Sequence, residues 1–376
     1  MLPARARDVV RARHAVFILT ATVLVIAGCT PSALPSPSPA APAVPASATA
    51  APAQSRPAAS PVTLTLTFGG DVHFVGRNAA LLRNPRTAIG SFANQLTAAD
   101  LAMVNLESAV TTRGTPEPKD FHFRAPPSAY TALAAAGIDV ASLANNHALD
   151  YGRVGLADTL DHAARADFAV VGAGRNVDEA YAPYVVTIRG IRVAIIGLSQ
   201  IHTLAAEWMP TTTRSGVAMS HDRTRSVEAV RRARAMADVV VVFMHWGVER
   251  SNCPKEEMRT FAAAMADAGA TMVVGTHAHV PLAGGFIGNT YIHYGLGNFV
   301  WYLNSDSVLL TLRVTAVPGA GPDRARVASA VVTPGVVTSS GRPAPVTGAR
   351  ASAVRSRLAA AQRCARLVAE PSSQVS

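Results

Sequence analysis

From residue 62 onward, short apolar runs alternate with longer stretches in which apolar residues recur every third or fourth position. Residues 62–68, Val-Thr-Leu-Thr-Leu-Thr-Phe, alternate strictly, as in a strand with one face against a core. Continuous apolar runs at 101–104, 140–143, 168–171, 193–196, 239–243 and 272–274 read as buried strands. Between them, 128–136, 155–166, 223–237 and 256–268 space their apolar residues as amphipathic helices do. The runs 183–188 and 191–196 flank Arg189-Gly190 and predict a hairpin. Further strands are expected at 291–294 and 308–314, and a terminal helix at 351–368 with a frayed tail after 370. Strands alternating with helices predict an α/β fold.

The first 61 residues follow a different pattern. Arg5, Arg7, Arg11 and Arg13 form a basic start, an apolar stretch covers 15–28, and Cys29 follows. This is the layout of a signal peptide, and the stretch is shorter than the roughly 20 residues a membrane-spanning helix needs. Ile26-Ala27-Gly28-Cys29 resembles a bacterial lipobox, in which Cys29 becomes the lipidated first residue of the mature protein. An uncleaved N-terminal anchor is the alternative, and both place the remainder outside the cytoplasm, held at the cell membrane. Residues 30–60 are almost entirely Pro, Ala and Ser and are expected to form an extended tether. The expected organisation is therefore a signal segment at 1–28, a lipidated cysteine and tether at 29–61, one large domain at 62–346, and a C-terminal helix and tail at 347–376.

Composition refines this picture only slightly. With 49% hydrophobic residues in 376, a substantial core can form. The formal charge of +10 favours an anionic partner such as phosphate, an acidic polymer or lipid headgroups, or reflects a solvated arginine-rich surface. Only two of the 34 basic residues are lysines, Lys119 and Lys255. No basic run with interleaved aromatics appears, which argues against nucleic-acid binding. Cys253 and Cys364 could pair in an oxidising compartment or stay free, and no C-x-x-C spacing suggests a thiolate zinc site.

The candidate chemistry lies in the placement of polar residues. Asp71 and His73 follow the first strand, Glu107 the run at 101–104, Asn146 the run at 140–143, His245 the run at 239–243, and His277 and His279 the run at 272–274. Loops beyond strand ends of an α/β sheet share one edge, where active sites collect. Nitrogen and oxygen donors without sulfur suit Zn²⁺, Mn²⁺ or Fe²⁺. Seven candidates exceed the needs of one tetrahedral ion. Two divalent ions about 4 Å apart, bridged by a carboxylate, would use them all and would serve an in-line displacement at phosphorus.

The order Asp-x-His, acidic loop, Asn-His, His, His-x-His resembles the calcineurin-like metallophosphatase pattern. Within that superfamily the chain resembles the CapA family, through Gly70-Asp71-Val72, Asn105-Leu106-Glu107, the run Leu143-Ala144-Asn145-Asn146-His147-Ala148-Leu149-Asp150-Tyr151-Gly152, His245-Trp246-Gly247 and Leu296-Gly297-Asn298-Phe299. The likeness covers residues 62 to about 315. It implies a four-layer α/β/β/α sandwich and a role in making, exporting or anchoring poly-γ-glutamate, beside membrane-bound synthase or export subunits. It further implies that Asp71, His73 and His279 hold one ion, that Glu107 bridges, and that Asn146, His245 and His277 hold the second. His147 would then give a proton to the leaving group. Arg77 could bind an anionic substrate or play an ordinary loop role. Some positions depart from the pattern. His73 stands where many CapA relatives carry an apolar residue, Glu107 where phosphatases use Asp, and Arg250 where an aromatic is usual. Residues 280–285 lack the expected Gln and Glu. Three functional readings stand: a metal-dependent hydrolase of a phosphoester or γ-linked amide, a non-catalytic accessory subunit of a polyglutamate synthase or exporter, and, from the anchor and tether, a secreted solute-binding lipoprotein that would not require the ligand loops. The filled ligand positions favour the first.

Overall fold

The computed structural model describes residues 9–11 and 60–371. Cys29 and nearly all of the signal and tether segments lie outside the described residues. From those segments only Val9–Arg11, a short strand antiparallel to Tyr184–Ile188, and the last two tether residues are described. No helix among the described residues is long and apolar enough to cross a membrane.

Two mixed sheets form the centre. The first runs in the order Pro343–Pro345, Arg326–Val337, Ser305–Ala316, Val62–Val72, Leu101–Leu106, Val140–Ser142, Ala169–Val171, with Asn298–Val300 also paired to Val62–Val72. The second runs Val9–Arg11, Tyr184–Ile188, Ile191–Ser199, Val239–His245, Met272–Thr276, Thr290–His293, Gly284–Ile287. Strands at the heart of each sheet are parallel, so their carboxyl ends share an edge.

The period-two pattern explains the layering. Leu64, Leu66 and Phe68 are fully buried and pack against Val193, Ile195, Val239, Val241 and Phe243 of the other sheet. The alternate residues Ala194, Ile196, Val240 and Val242 face outward into a cluster with Val230 of helix Arg223–Met236 and Met265 of helix Glu256–Asp267. On the opposite side, Ala102, Val104 and Ala141 pack with Leu133 of helix Ser128–Ala135 and Leu156 of helix Gly152–Arg165. The order of layers is α/β/β/α, the sandwich expected from the sequence. The Arg189-Gly190 hairpin is present, with both residues at positive φ.

Two segments extend beyond the expectation. Ser305–Ala316 continues into a long antiparallel partner, Arg326–Val337, whose Pro334-Gly335 interrupts the strand signal. The terminal helix spans Gly348–Ala365 and docks on the domain. Val354 enters the inter-sheet core, and Ala361 and Ala365 join the outer cluster. A disulfide joins Cys364 to Cys253, with Cα atoms 5.7 Å apart.

His293, on a strand of the second sheet, gives the fold an acid-sensitive point. Burial pushes its imidazole down to about 4. In the unfolded chain it titrates near 6.5. Between those values only the unfolded state takes up the proton, so the stability contribution is complete above about pH 6.5 and falls as pH drops toward 4. The loss across that window is roughly 3 kcal/mol. Denaturant melts at neutral pH and near pH 4.5 are expected to show a smaller acid loss for His293→Leu than for wild type.

Candidate metal centre

The carboxyl ends of the parallel strands bring the polar residues to one place. Asp71 closes Val62–Val72, and Glu107 follows Leu101–Leu106. Asn145, Asn146 and His147 follow Val140–Ser142, His245 ends Val239–His245, and His277 follows Met272–Thr276. Gly70 permits the tight approach that sets Asp71, because a Cβ there would lie 1.8 Å from the Gly297 carbonyl oxygen. The Asp71 amide donates to that same oxygen at 3.0 Å.

Across the two sheets the side chains interlock. Asn105 Nδ2 donates to Asp71 Oδ1 at 2.8 Å and to Glu107 Oε2 at 3.3 Å, and lies 3.1 Å from His245 Nδ1. His245 Nε2 is 2.7 Å from Asn146 Oδ1 and 3.1 Å from His277 Nδ1. The His277 amide donates to Asp71 Oδ2 at 3.2 Å, and His279 Nδ1 lies 3.3 Å from the same oxygen. His277 and His279 do not continue a strand. Both adopt positive φ, 88° and 56°, just past the end of Met272–Thr276. Non-glycine residues hold such angles at a cost of about 1–3 kcal/mol each, and here the bend turns both imidazoles into the centre.

Electrostatics fit a cation. Glu107 is fully buried, and its Oε1 has no hydrogen-bond partner among the described residues. Burial first, and Asp71 second, push its carboxyl well above the usual range. Burial holds His245 well below its ordinary value and His277 at about 3, so both imidazoles are neutral and available as ligands. A divalent ion would offset the buried negative charge and occupy the unpartnered oxygen. Two sets of ligand atoms lie within 4.8 Å of one another, Asp71 with Glu107 and His245, and Glu107 with His277 and His279. Glu107 belongs to both.

His147 stands beside these groups. Its Nδ1 is 2.6 Å from Asp150 Oδ2, and its Nε2 is 3.8 Å from Glu107 Oε1. Burial lowers it to about 4, against the opposing pull of Asp150. Lys119 Nζ pairs with Asp150 Oδ1 at 2.5 Å, contacts the Asn146 carbonyl and lies over the Trp208 ring. Phe123 stacks on His147 with centroids 3.9 Å apart, and Trp301 and Tyr302 continue the aromatic wall. A cleft of about 880 Å³ opens over these residues, with the exposed Phe121 and Leu303 at its mouth.

Two candidates sit apart from the close ligand sets. His73 is boxed by Phe123, Trp301 and Tyr302. Its Nδ1 accepts from the Val75 amide, while its buried Nε2 has no partner among the described residues. Arg77 donates to Asn304 Oδ1 at 3.0 Å and to the Thr338 carbonyl at 3.4 Å, which ties its exposed turn to neighbouring loops. Sequence reasoning did not single out Asn105, Asp150, Lys119 or Asn298. Three of these lie inside the motifs that carried the resemblance. Lys119 had only its rarity as a signal.

Residues 65–302 match the family described as bacterial capsule synthesis protein PGA_cap. The chain is 31% identical over 220 residues to a Bacillus subtilis protein named PGA biosynthesis protein CapA, across 57% of each chain. It is 32% identical over 213 residues to a probable polyglutamine synthesis accessory protein of Mycobacterium tuberculosis, across 54% of this chain and 56% of the other. The chain thus spans little more than half the length of these relatives. Among solved structures, one described as a novel phosphatase from Mycoplasma pneumoniae is 15% identical with a TM-score of 0.46, covering 73% of this chain and 94% of that chain.

Proposed function

Because this chain belongs to the bacterial capsule synthesis protein family PGA_cap, we propose that it serves the making or export of an anionic surface polymer of the poly-γ-glutamate type, as a metal-dependent hydrolase acting at the envelope. The observation that carries this reading is Glu107, a buried carboxylate shared by two sets of close ligand atoms. Grouped by closeness, Asp71, Glu107 and His245 would hold one ion, and Glu107, His277 and His279 the other. The family resemblance distributes the residues differently, giving His73 and His279 to the ion of Asp71, and Asn146, His245 and His277 to the second. In both schemes Glu107 would be the shared ligand. Two such ions, of Mn, Fe or Zn, would supply hydroxide at neutral pH and charge stabilisation for a phosphoester or an amide.

The protein's own groups handle orientation and protons. Asp150 selects the His147 tautomer with its proton on Nδ1, leaving Nε2 free toward Glu107 and the cleft. Burial keeps that imidazole neutral at physiological pH, so Nε2 can take up a proton released at the centre and return it to the leaving group. Lys119 offsets the Asp150 charge and fixes the loop through the Asn146 carbonyl. Phe123, Trp301 and Tyr302 exclude water from one side. The disulfide between Cys253 and Cys364 suits an oxidising compartment, in keeping with a signal segment and lipidation at Cys29.

The test is hydrolysis of poly-γ-glutamate and of a generic phosphodiester by the metal-loaded protein. His147→Gln is expected to lower kcat by roughly 10²–10⁴-fold with metal content unchanged. The name of the Mycobacterium tuberculosis relative favours a second reading, an accessory subunit whose centre grips polymer without cutting it. Polymer binding and bound metal without turnover on either substrate would select that reading.

A further inference from the structure

The cleft does not end at the metal centre. A second cavity of about 380 Å³ continues from it, and the two share Asn252, His279, Val280 and Ser305 as a common wall. Its far side is the face of the terminal helix that carries Arg350, Val354 and Arg357. These positions are four and then three residues apart, so they stand on one helix face. Val354 is buried and anchors that face to the core. The helix lies outside residues 65–302, the segment matched to the family.

The charge arrangement in this cavity is uneven. Arg350 Nη2 donates to Asp306 Oδ1 at 2.7 Å, and Arg357 Nε donates to Asp306 Oδ2. Two cations therefore share one carboxylate, leaving one net positive charge. Both arginine side chains remain 51% exposed, whereas Asp306 is 15% exposed. Each guanidinium has further N–H groups in a fixed fork suited to a second carboxylate. Among the residues lining the main cleft, Lys119 and Arg250 are balanced by Asp120 and Glu249, whereas Arg350 and Arg357 outnumber Asp306 in the side cavity, so the side-chain positive excess lies there. The disulfide fastens this helix, through Cys364, to the loop that bears Glu249, Arg250 and Asn252.

We propose that the Arg350–Arg357 groove is a second anion subsite, which takes a carboxylate of a γ-linked polyglutamate chain whose neighbouring unit lies at the metal centre. The inference rests on the polymer reading above and adds a direction: the substrate is an extended polyanion held at two points, with His279 between them. Binding is then expected to gain with chain length, because an oligomer can offer carboxylates to both places at once.

The experiment is calorimetric titration of the metal-loaded full chain with γ-linked glutamate oligomers of increasing length. Wild type is expected to gain roughly tenfold in affinity once the oligomer spans both sites. Arg350→Ala/Arg357→Ala is expected to lose that gain while keeping its metal content and its weak binding of the shortest oligomers. Asp306→Asn frees both guanidinium groups and is expected to bind long oligomers several-fold tighter, an effect that misfolding cannot produce. Length-dependent binding that survives the double substitution, or weaker binding in Asp306→Asn, overturns the subsite and leaves the polymer reading standing. Failure of every oligomer to bind wild type overturns both. An arginine-dependent length gain with polyphosphate but not with oligoglutamate overturns the carboxylate assignment.

Discussion

Glu107→Gln is expected to empty the metal centre and reduce hydrolysis by roughly a thousandfold or more, while leaving the metal-free fold at least as stable as wild type. The two effects have one cause. In the absence of a cation, Glu107 is a fully buried carboxylate beside a second one, Asp71, with one oxygen unpartnered. Glutamine keeps the shape and still accepts from Asn105 Nδ2, but removes the charge that opposes folding. With metal present the same carboxylate would serve as the ligand shared by both sets, and its loss would remove it. Thermal melts should therefore cross. With chelator, the variant melts at or above wild type. With added Mn²⁺, wild type rises and the variant does not. A variant that melts far below wild type with chelator would place Glu107 in the packing of the fold instead.

Removal of the Cys253–Cys364 disulfide is expected to cost roughly 3–5 kcal/mol of stability. The bond spans 111 residues, so reduction releases a long loop in the unfolded chain. It also frees the terminal helix, whose remaining hold on the domain includes Val354, Ala361 and Ala365 in the two cores. Denaturant midpoints of wild type with and without reductant, compared with Cys253→Ser/Cys364→Ser, measure the effect. Reductant should shift wild type to the position of the double variant and leave that variant unmoved. Metal content should be unchanged, because no ligand lies on the helix.

Much of this architecture is visible in residue patterns. Strict alternation at 62–68 reflects a strand with one face against the core, and the valine-rich run at 239–243 a strand buried on both faces, so the strands and helices were legible, while their arrangement in two sheets was implied by the resemblance. Asp71, Glu107, Asn146, His245 and His277 were legible together because each follows a buried run, and parallel strands place such positions on one edge. What sequence could not supply is the path of the chain beyond those ends. The positive φ of His277 and His279 depends on tertiary contacts such as the Asp71 bond to the His277 amide. Lys119 reaches Asp150 from a segment with no strand or helix signal, so its place near His147 could not be read locally. Arg326–Val337 gives no strand signal of its own because Pro334-Gly335 reads as a break, while the pairing with Ser305–Ala316 carries the strand through it. The cysteines show the same limit, since pairing across 111 residues is set by how the terminal helix docks.

Metal stoichiometry by mass spectrometry, on protein loaded with Mn²⁺, Fe²⁺ or Zn²⁺ and freed of excess, probes the shared centre most directly. The expected result is two ions per wild-type chain, none in Glu107→Gln, and loss of at least one in His245→Ala. A wild-type chain that retains none of these metals, or variants that keep both ions, would contradict it.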